Sequence, residues 1–161
     1  RLVMQGFAPY KPIKIVDTLL AAKAHFGFTS NKLEWMSAYL TDTPKSKHKK
    51  FPGFELWLEC LAGNPEAWAE MRKYNKQDVV ATEEVYLKLR PWIVGHPNVA
   101  QYYDDEAIRC PKCGSLNVEE DGVVHTQAST YHRYRCADCG GFSRSRYTIN
   151  SKTKRQALLS N

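Results

Sequence analysis

Two short repeats constrain this chain more than anything else in it: Cys110-Pro111-Lys112-Cys113 and Cys136-Ala137-Asp138-Cys139. Each is followed by glycine, Gly114 in the first case and Gly140 with Gly141 in the second. A Cys-x-x-Cys turn presents two sulfurs on one side of a tight knuckle whose backbone N–H groups face the thiolates. Two such turns supply the four soft donors of a tetrahedral zinc ion. Disulfides are the alternative, but a secreted disulfide framework spreads an even set of cysteines through loops. Here there are five, and Cys60 stands apart from the pairs. A zinc site formed in a reducing compartment, such as a cytoplasm or a phage-infected cell, suits this pattern better. Four thiolates close the coordination shell, so the site is structural and has no catalytic position.

The sequence around the pairs alternates with period two at 117–119, 123–125, 131–135 and 142–147, which predicts paired strands. From 108 to 150 it resembles a zinc ribbon, a small all-β module. The period puts Arg133 and Arg135 on one strand face and Arg144 and Arg146 on one face of the next, with Tyr131, Tyr134, Phe142 and Tyr147 interleaved. Phosphates can sit on such a face while bases or sugars stack on the rings. Lys152, Lys154 and Arg155 carry the charge into a basic tail, 151–161. The net charge of +6 agrees with a polyanionic partner, although charge alone also fits a merely soluble protein. Such a ribbon can equally stabilise a small fold or grip another protein. His125 and His132 read as surface residues, since the thiolates already complete the shell.

The 95 residues ahead of the ribbon read as a separate, mostly helical domain joined to it by a linker at 96–107. A hydrophobic fraction of 43% and four tryptophans are enough for a core. No apolar run is long enough to cross a membrane, and there is no signal-peptide pattern at the start. The chain opens at Arg1 inside what reads as a helix tail, 1–7, stopped by Gly6. A β-branched run at 13–16 predicts a buried strand. Asp17 or Thr18 can cap a helix over 19–26, which Gly27 ends. Asn31 with Glu34 makes a capping-box pattern, opening a helix whose apolar face is Leu33, Trp35, Met36, Tyr39 and Leu40.

A basic loop with Lys45, Lys47, Lys49 and Lys50 follows. Phe54, Leu56, Trp57, Cys60 and Leu61 then recur at helical spacing up to Gly63, with Cys60 as a small core residue. Asn64-Pro65-Glu66 opens a long helix, 65–90, stopped by Pro91. Its expected packed face is Trp68, Met71, Val79, Thr82, Val85, Tyr86 and Leu89.

Tyr74 and Asp78 lie four apart on that helix and so share a face. The stretch Tyr74-x-x-x-Asp78, preceded by Ile15-Val16-Asp17-Thr18-Leu19-Leu20, by Lys32-Leu33-Glu34-Trp35-Met36 and by the basic loop, resembles the C-terminal half of 3′-5′ exonucleases. The match, over 1–92, is to the ribonuclease-H-like DEDD superfamily, in the branch with a tyrosine in its third motif. The resemblance implies an α/β fold. It also implies a site in which four carboxylates hold two magnesium or manganese ions, which activate water and stabilise the leaving oxygen. Asp78 would be a metal ligand there and Tyr74 the residue that orients the water, while the Lys45, Lys47, Lys49 and Lys50 loop and the ribbon arginines would hold the nucleic acid. Asp17 reads as a helix cap, not a ligand.

The family's Asp-x-Glu motif has no counterpart here, and its second-motif aspartate would fall before Arg1. One carboxylate cannot hold two such ions. The isolated chain is therefore expected to be inactive until the missing N-terminal segment is supplied. Association with such a segment, or self-association, would cover the apolar strand edge at 13–16. Two further readings stay open: a non-catalytic nucleic-acid-binding module, and a protein-interaction adaptor.

Overall fold

The computed structural model describes residues 15–44, 48 and 50–159. The expected helix tail at 1–7, positions 13 and 14 of the expected strand, and Lys45, Lys47 and Lys49 lie outside them. The described residues form five α-helices, two short 3-10 turns (Arg90–Trp92 and Val99–Tyr102) and one three-stranded antiparallel sheet: α1 Thr18–His25, α2 Leu33–Leu40, α3 Glu55–Leu61, α4 Pro65–Leu89, β1 Val118–His125, β2 Thr130–Cys136, β3 Phe142–Arg144 and α5 Lys152–Ala157. The fold is of mixed α and β content, with helices and sheet in separate stretches of sequence.

Helix α4 is the beam of the N-terminal part. Its 25 residues span about 37 Å at 1.5 Å per residue. Asn64 opens it, its Oδ1 accepting the N–H groups of Glu66 and Ala67 at 3.0 and 3.4 Å, and Pro65 at the first position gives up an N–H that has no intrahelical partner. Helices α1, α2 and α3 all pack against it. They form two separate cores, one at each end. Phe51, Leu56, Cys60 and Ala67 make the first, with Met71 alongside; Ala22, Met36, Val85 and Leu89 make the second.

The packed stripe of α4 thus runs through Ala67, Met71, Tyr74, Asp78, Ala81, Val85 and Leu89, in steps of three and four. This differs from the expected face: Trp68 and Val79 are exposed, Val79 by 67%. Small residues decide the matter. Ala67 and Ala81 are fully buried because a methyl side chain lets a neighbouring helix approach closely, and a reading weighted toward bulky residues passes over them.

Asp17 caps α1, its Oδ1 accepting from Leu19 and Leu20 N–H at 2.8 and 3.1 Å, as expected. The helix ends at Phe26 in extended backbone, so Gly27 is not needed as a left-handed stop. The capping box expected at α2 does not form. Lys32 holds the cap position without a side-chain bond, and the Ser30 hydroxyl accepts its N–H instead. Met36 is buried as expected, whereas Tyr39 points outward. Helix α3 closes at Gly63 (φ 81°), with Gly63 N–H on Cys60 O and Asn64 N–H on Glu59 O, a glycine-dependent stop. Cys60 is buried as expected, but Phe54 and Leu61 are exposed.

Ile15 and Val16 belong to no strand, and the sheet among the described residues is that of the ribbon. There, the stretches expected as two strands at 117–119 and 123–125 form one, β1, kinked by a register shift between Glu120 and Val123 at Gly122 (φ 79°). No helix among the described residues is long and apolar enough to cross a membrane.

Candidate metal centre and nucleic-acid interface

The two cysteine knuckles are built alike. Gly114 N–H bonds Cys110 O and Gly140 N–H bonds Cys136 O, while the return contacts run from Cys110 N–H to Ser115 O and from Cys136 N–H to Gly141 O, all at 2.8–3.0 Å. Both turns require a positive φ, 80° at Gly114 and 74° at Gly140, which glycine adopts without strain. They bring the four sulfurs within 4.8 Å of one another. Cys110 and Cys139 Sγ are 3.7 Å apart, and Cys113 and Cys136 Sγ 3.6 Å. Four thiolates about 2.3 Å from a zinc ion at tetrahedral angles would be about 3.8 Å apart, so the donor set fits that ion. A disulfide, at about 2.05 Å, does not describe these pairs.

Burial pushes the Cys113 thiol up to about 12 and raises that of Cys139. Burial acts on Cys136 too, but hydrogen bonds from the Cys139 and Asp138 N–H groups and with the Cys113 and Cys139 sulfurs together leave that thiol below its ordinary value. Uptake of a metal ion by these groups would therefore release protons.

The surroundings hold the knuckles in place. Asp138 accepts from the Ser115 hydroxyl at 2.5 Å and from Asn117 Nδ2 at 2.9 Å, tying the second knuckle to the exit of the first; these bonds hold its carboxyl below the usual range. The Tyr103 ring fills the space where a Gly114 side chain would go, and Arg109 covers that ring at 4.1 Å while donating to Gly114 O at 2.9 Å. Lys112, inside the first knuckle, donates to the Pro91 and Ile93 carbonyls just past α4. Burial lowers its pKa. Tyr103, Arg109 and Lys112 were not legible as contacts in the sequence, because a linker residue, the residue just before Cys110 and one in the middle of Cys-x-x-Cys carry no periodic signal.

Strand register decides where the arginines go. Arg133 pairs with Arg144 and Arg135 with Phe142 across β2 and β3, so these four share one face with Tyr131. Arg144 lies 3.9 Å over the Tyr131 ring; Arg133 and Arg135 flank the Phe142 ring at 5.6 and 5.9 Å. On the β1 side, Asp121 pairs with Arg133 at 3.0 Å, and Glu119 stands opposite Arg135. The strand expected over 142–147 ends at Arg144, and Arg146 follows in a bend beside Tyr147 at 5.7 Å. Tyr134 belongs to the opposite face. Lys152, Lys154 and Arg155 lie on α5, which Ser151 caps. In the basic loop, Lys50 bonds Glu66 at 2.7 Å, so its charge is already matched.

Tyr74 and Asp78 occupy the middle of the α4 stripe, between the two cores. The Tyr74 ring meets His48 edge-on at 5.2 Å and Trp57 at 6.1 Å. Asp78 lines a cleft of about 780 Å³ with Val16, Asn75, Val79, Thr82 and Glu83. Among the described residues the cysteine tetrad is the cluster of three or more His, Cys, Asp or Glu donors able to share an ion, and Asp78 belongs to no such cluster. No protein-family model matches the chain, and comparison with curated proteins and with solved structures finds no similar one.

Proposed function

We propose that this chain is a nucleic-acid-processing protein that grips its substrate through the arginine face of a zinc-loaded ribbon. The observation that carries the reading is the placement of Arg133 directly opposite Arg144, with Arg135 on the same face. Like charges opposed across a sheet are destabilising; Asp121 offsets Arg133, and a phosphate would supply the counter-charge that Arg144 and Arg135 lack. Zinc on Cys110, Cys113, Cys136 and Cys139 holds the strands that carry these side chains.

The exonuclease half of the reading rests on Asp78, half-buried on the wall of an open cleft whose rim includes the exposed Val79. In that reading Asp78 is one carboxylate of a two-metal site using magnesium or manganese, Tyr74 orients the attacking water, and a further segment bearing the remaining carboxylates covers the apolar rim. A non-catalytic nucleic-acid-binding ribbon is the second reading, favoured by the separation of Asp78 from any other metal-donor cluster among the described residues.

One pair of experiments separates them. Fluorescence anisotropy with a labelled oligonucleotide is expected to lose at least about tenfold in affinity when Arg133, Arg135 and Arg144 are all changed to Gln, with zinc content unchanged. Equal binding by that variant would remove the ribbon from the function. In a longer polypeptide with an Asp-x-Glu strand upstream, Asp78→Ala is expected to abolish metal-dependent release of 3′ nucleotides; an inert parent protein leaves only the binding module.

A further inference from the structure

The ribbon face carries a feature that phosphate binding alone does not use. Phe142 is 52% exposed, although its register partner Arg135 places it on the arginine face of the sheet. It is not a core residue, and β3 is a three-residue edge strand, where a bare ring invites unwanted pairing. The ring is framed by Arg133 and Arg135, and with Val124, Ser143 and Arg144 it borders a shallow hollow of about 250 Å³.

Tyr131, by contrast, already has its ring covered by Arg144. Among the described residues no ion pair engages Arg144 or Arg135, whereas Arg133 is shared with Asp121. The carboxylates Asp121 and Glu119 stand on the β1 side, so the uncompensated charge lies toward the open β3 edge.

We infer that Phe142 is a stacking seat for one unpaired base and that Arg144 and Arg135 take the flanking phosphates, so that the ribbon binds single strands in preference to duplex. The inference rests on the nucleic-acid reading above and names its substrate class. In a duplex each base face is covered by its neighbours and only the edges are offered in the grooves, so an aromatic ring on a flat sheet gains nothing from it. An unpaired base offers a whole face, and stacking is open to every base, so little sequence preference follows. The hollow has room for one ring system beside Phe142 and no depth to enclose a helix.

The test uses the zinc-loaded full chain and two labelled probes of equal phosphate number, an oligothymidine and a blunt hairpin duplex. The single strand is expected to bind at least about tenfold tighter than the hairpin. Phe142→Ala is expected to weaken oligothymidine binding by about tenfold, leave hairpin binding unchanged, and leave the salt slope unchanged because no phosphate contact is lost. Phe142→Trp restores the affinity, while Phe142→Leu, which keeps apolar bulk and the fold, does not. Equal affinity for the two probes, or full affinity in Phe142→Leu, overturns the stacking seat while salt-sensitive binding through the arginines still stands. If neither probe binds, the nucleic-acid reading itself falls, and this inference with it.

Discussion

The helical part and the ribbon hold themselves together by opposite means. In the helical part, order comes from two apolar clusters strung along α4, with Leu56 and Val85 fully buried. In the ribbon the fully enclosed side chains are those of Cys110 and Cys136, and the larger residues Leu116, Val123, Phe142 and Tyr147 are all exposed. With so little buried apolar surface, a module of this size would draw its stability from an ion held by the four cysteines. On that footing the helical part is expected to lose a side chain and keep its shape, while the ribbon is expected to stand or fall with four sulfurs. Lys112, reaching the carbonyls of Pro91 and Ile93, is a direct tie between the two.

The largest expected effect follows from that contrast. Removing zinc with a strong chelator, or replacing Cys113 with Ser, is expected to erase hydrogen-exchange protection across β1, β2 and β3 while amides of α4 stay protected. Structural zinc contributes on the order of 10 kcal/mol of apparent binding free energy in small domains, more than a sheet of this kind holds by itself. Loss of protection in both regions together would show that they form one cooperative unit. The next effect runs the other way. Leu56→Ala is expected to cost about 2–5 kcal/mol in the helical unfolding transition by leaving a cavity in the first core, with zinc affinity unchanged. A parallel fall in zinc affinity would break the comparison.

The smallest effect is a pH dependence. Hydrogen bonds from Ser115 and Asn117 depress the Asp138 carboxyl in the folded ribbon. Their contribution is thus present above the unfolded aspartate pKa of about 3.9 and is lost as pH falls through the lower folded value. Between about pH 6 and pH 8, well above both values, the carboxyl stays ionised, and the difference in chelator resistance between wild type and Asp138→Asn is expected to be constant. A difference that changes with pH across that range contradicts the assignment.

The same contrast explains what could be read from the chain. Cysteine spacing and the glycines behind each pair specify the knuckles locally, so the clustering of Cys110, Cys113, Cys136 and Cys139 was legible residue by residue. The start of α4 was equally legible, because Asn64-Pro65-Glu66 is a local signal, and so was Asp17 as a cap. The packed face of α4 was legible only in part: Met71, Val85 and Leu89 lie in it, whereas Trp68 and Val79 do not. Its stripe is set by which helices come close, and Ala67 and Ala81 matter there by being small, a property that periodicity of bulky residues misses. The α2 start departed as well: the helix begins one residue later than the Asn31 and Glu34 pattern implies, with Lys32 at the cap position and its N–H on the Ser30 hydroxyl. On the ribbon, period two placed Arg133 and Arg135 together, but the single strand made from two expected ones and the early end of β3, which leaves Arg146 in a bend, depended on Gly122 and on the sheet edge.

The central claim is that a metal-held sheet presents arginines to a phosphate backbone. The most direct test is the salt dependence of oligonucleotide binding, measured on the zinc-loaded chain and again after chelation. With Arg135 and Arg144 each meeting one phosphate of a single strand and Arg133 held by Asp121, the slope of log affinity against log salt is expected to be about −1.4, at about −0.7 per contact, and binding is expected to vanish with the metal. A flat salt profile, or the same affinity with and without zinc, would contradict it.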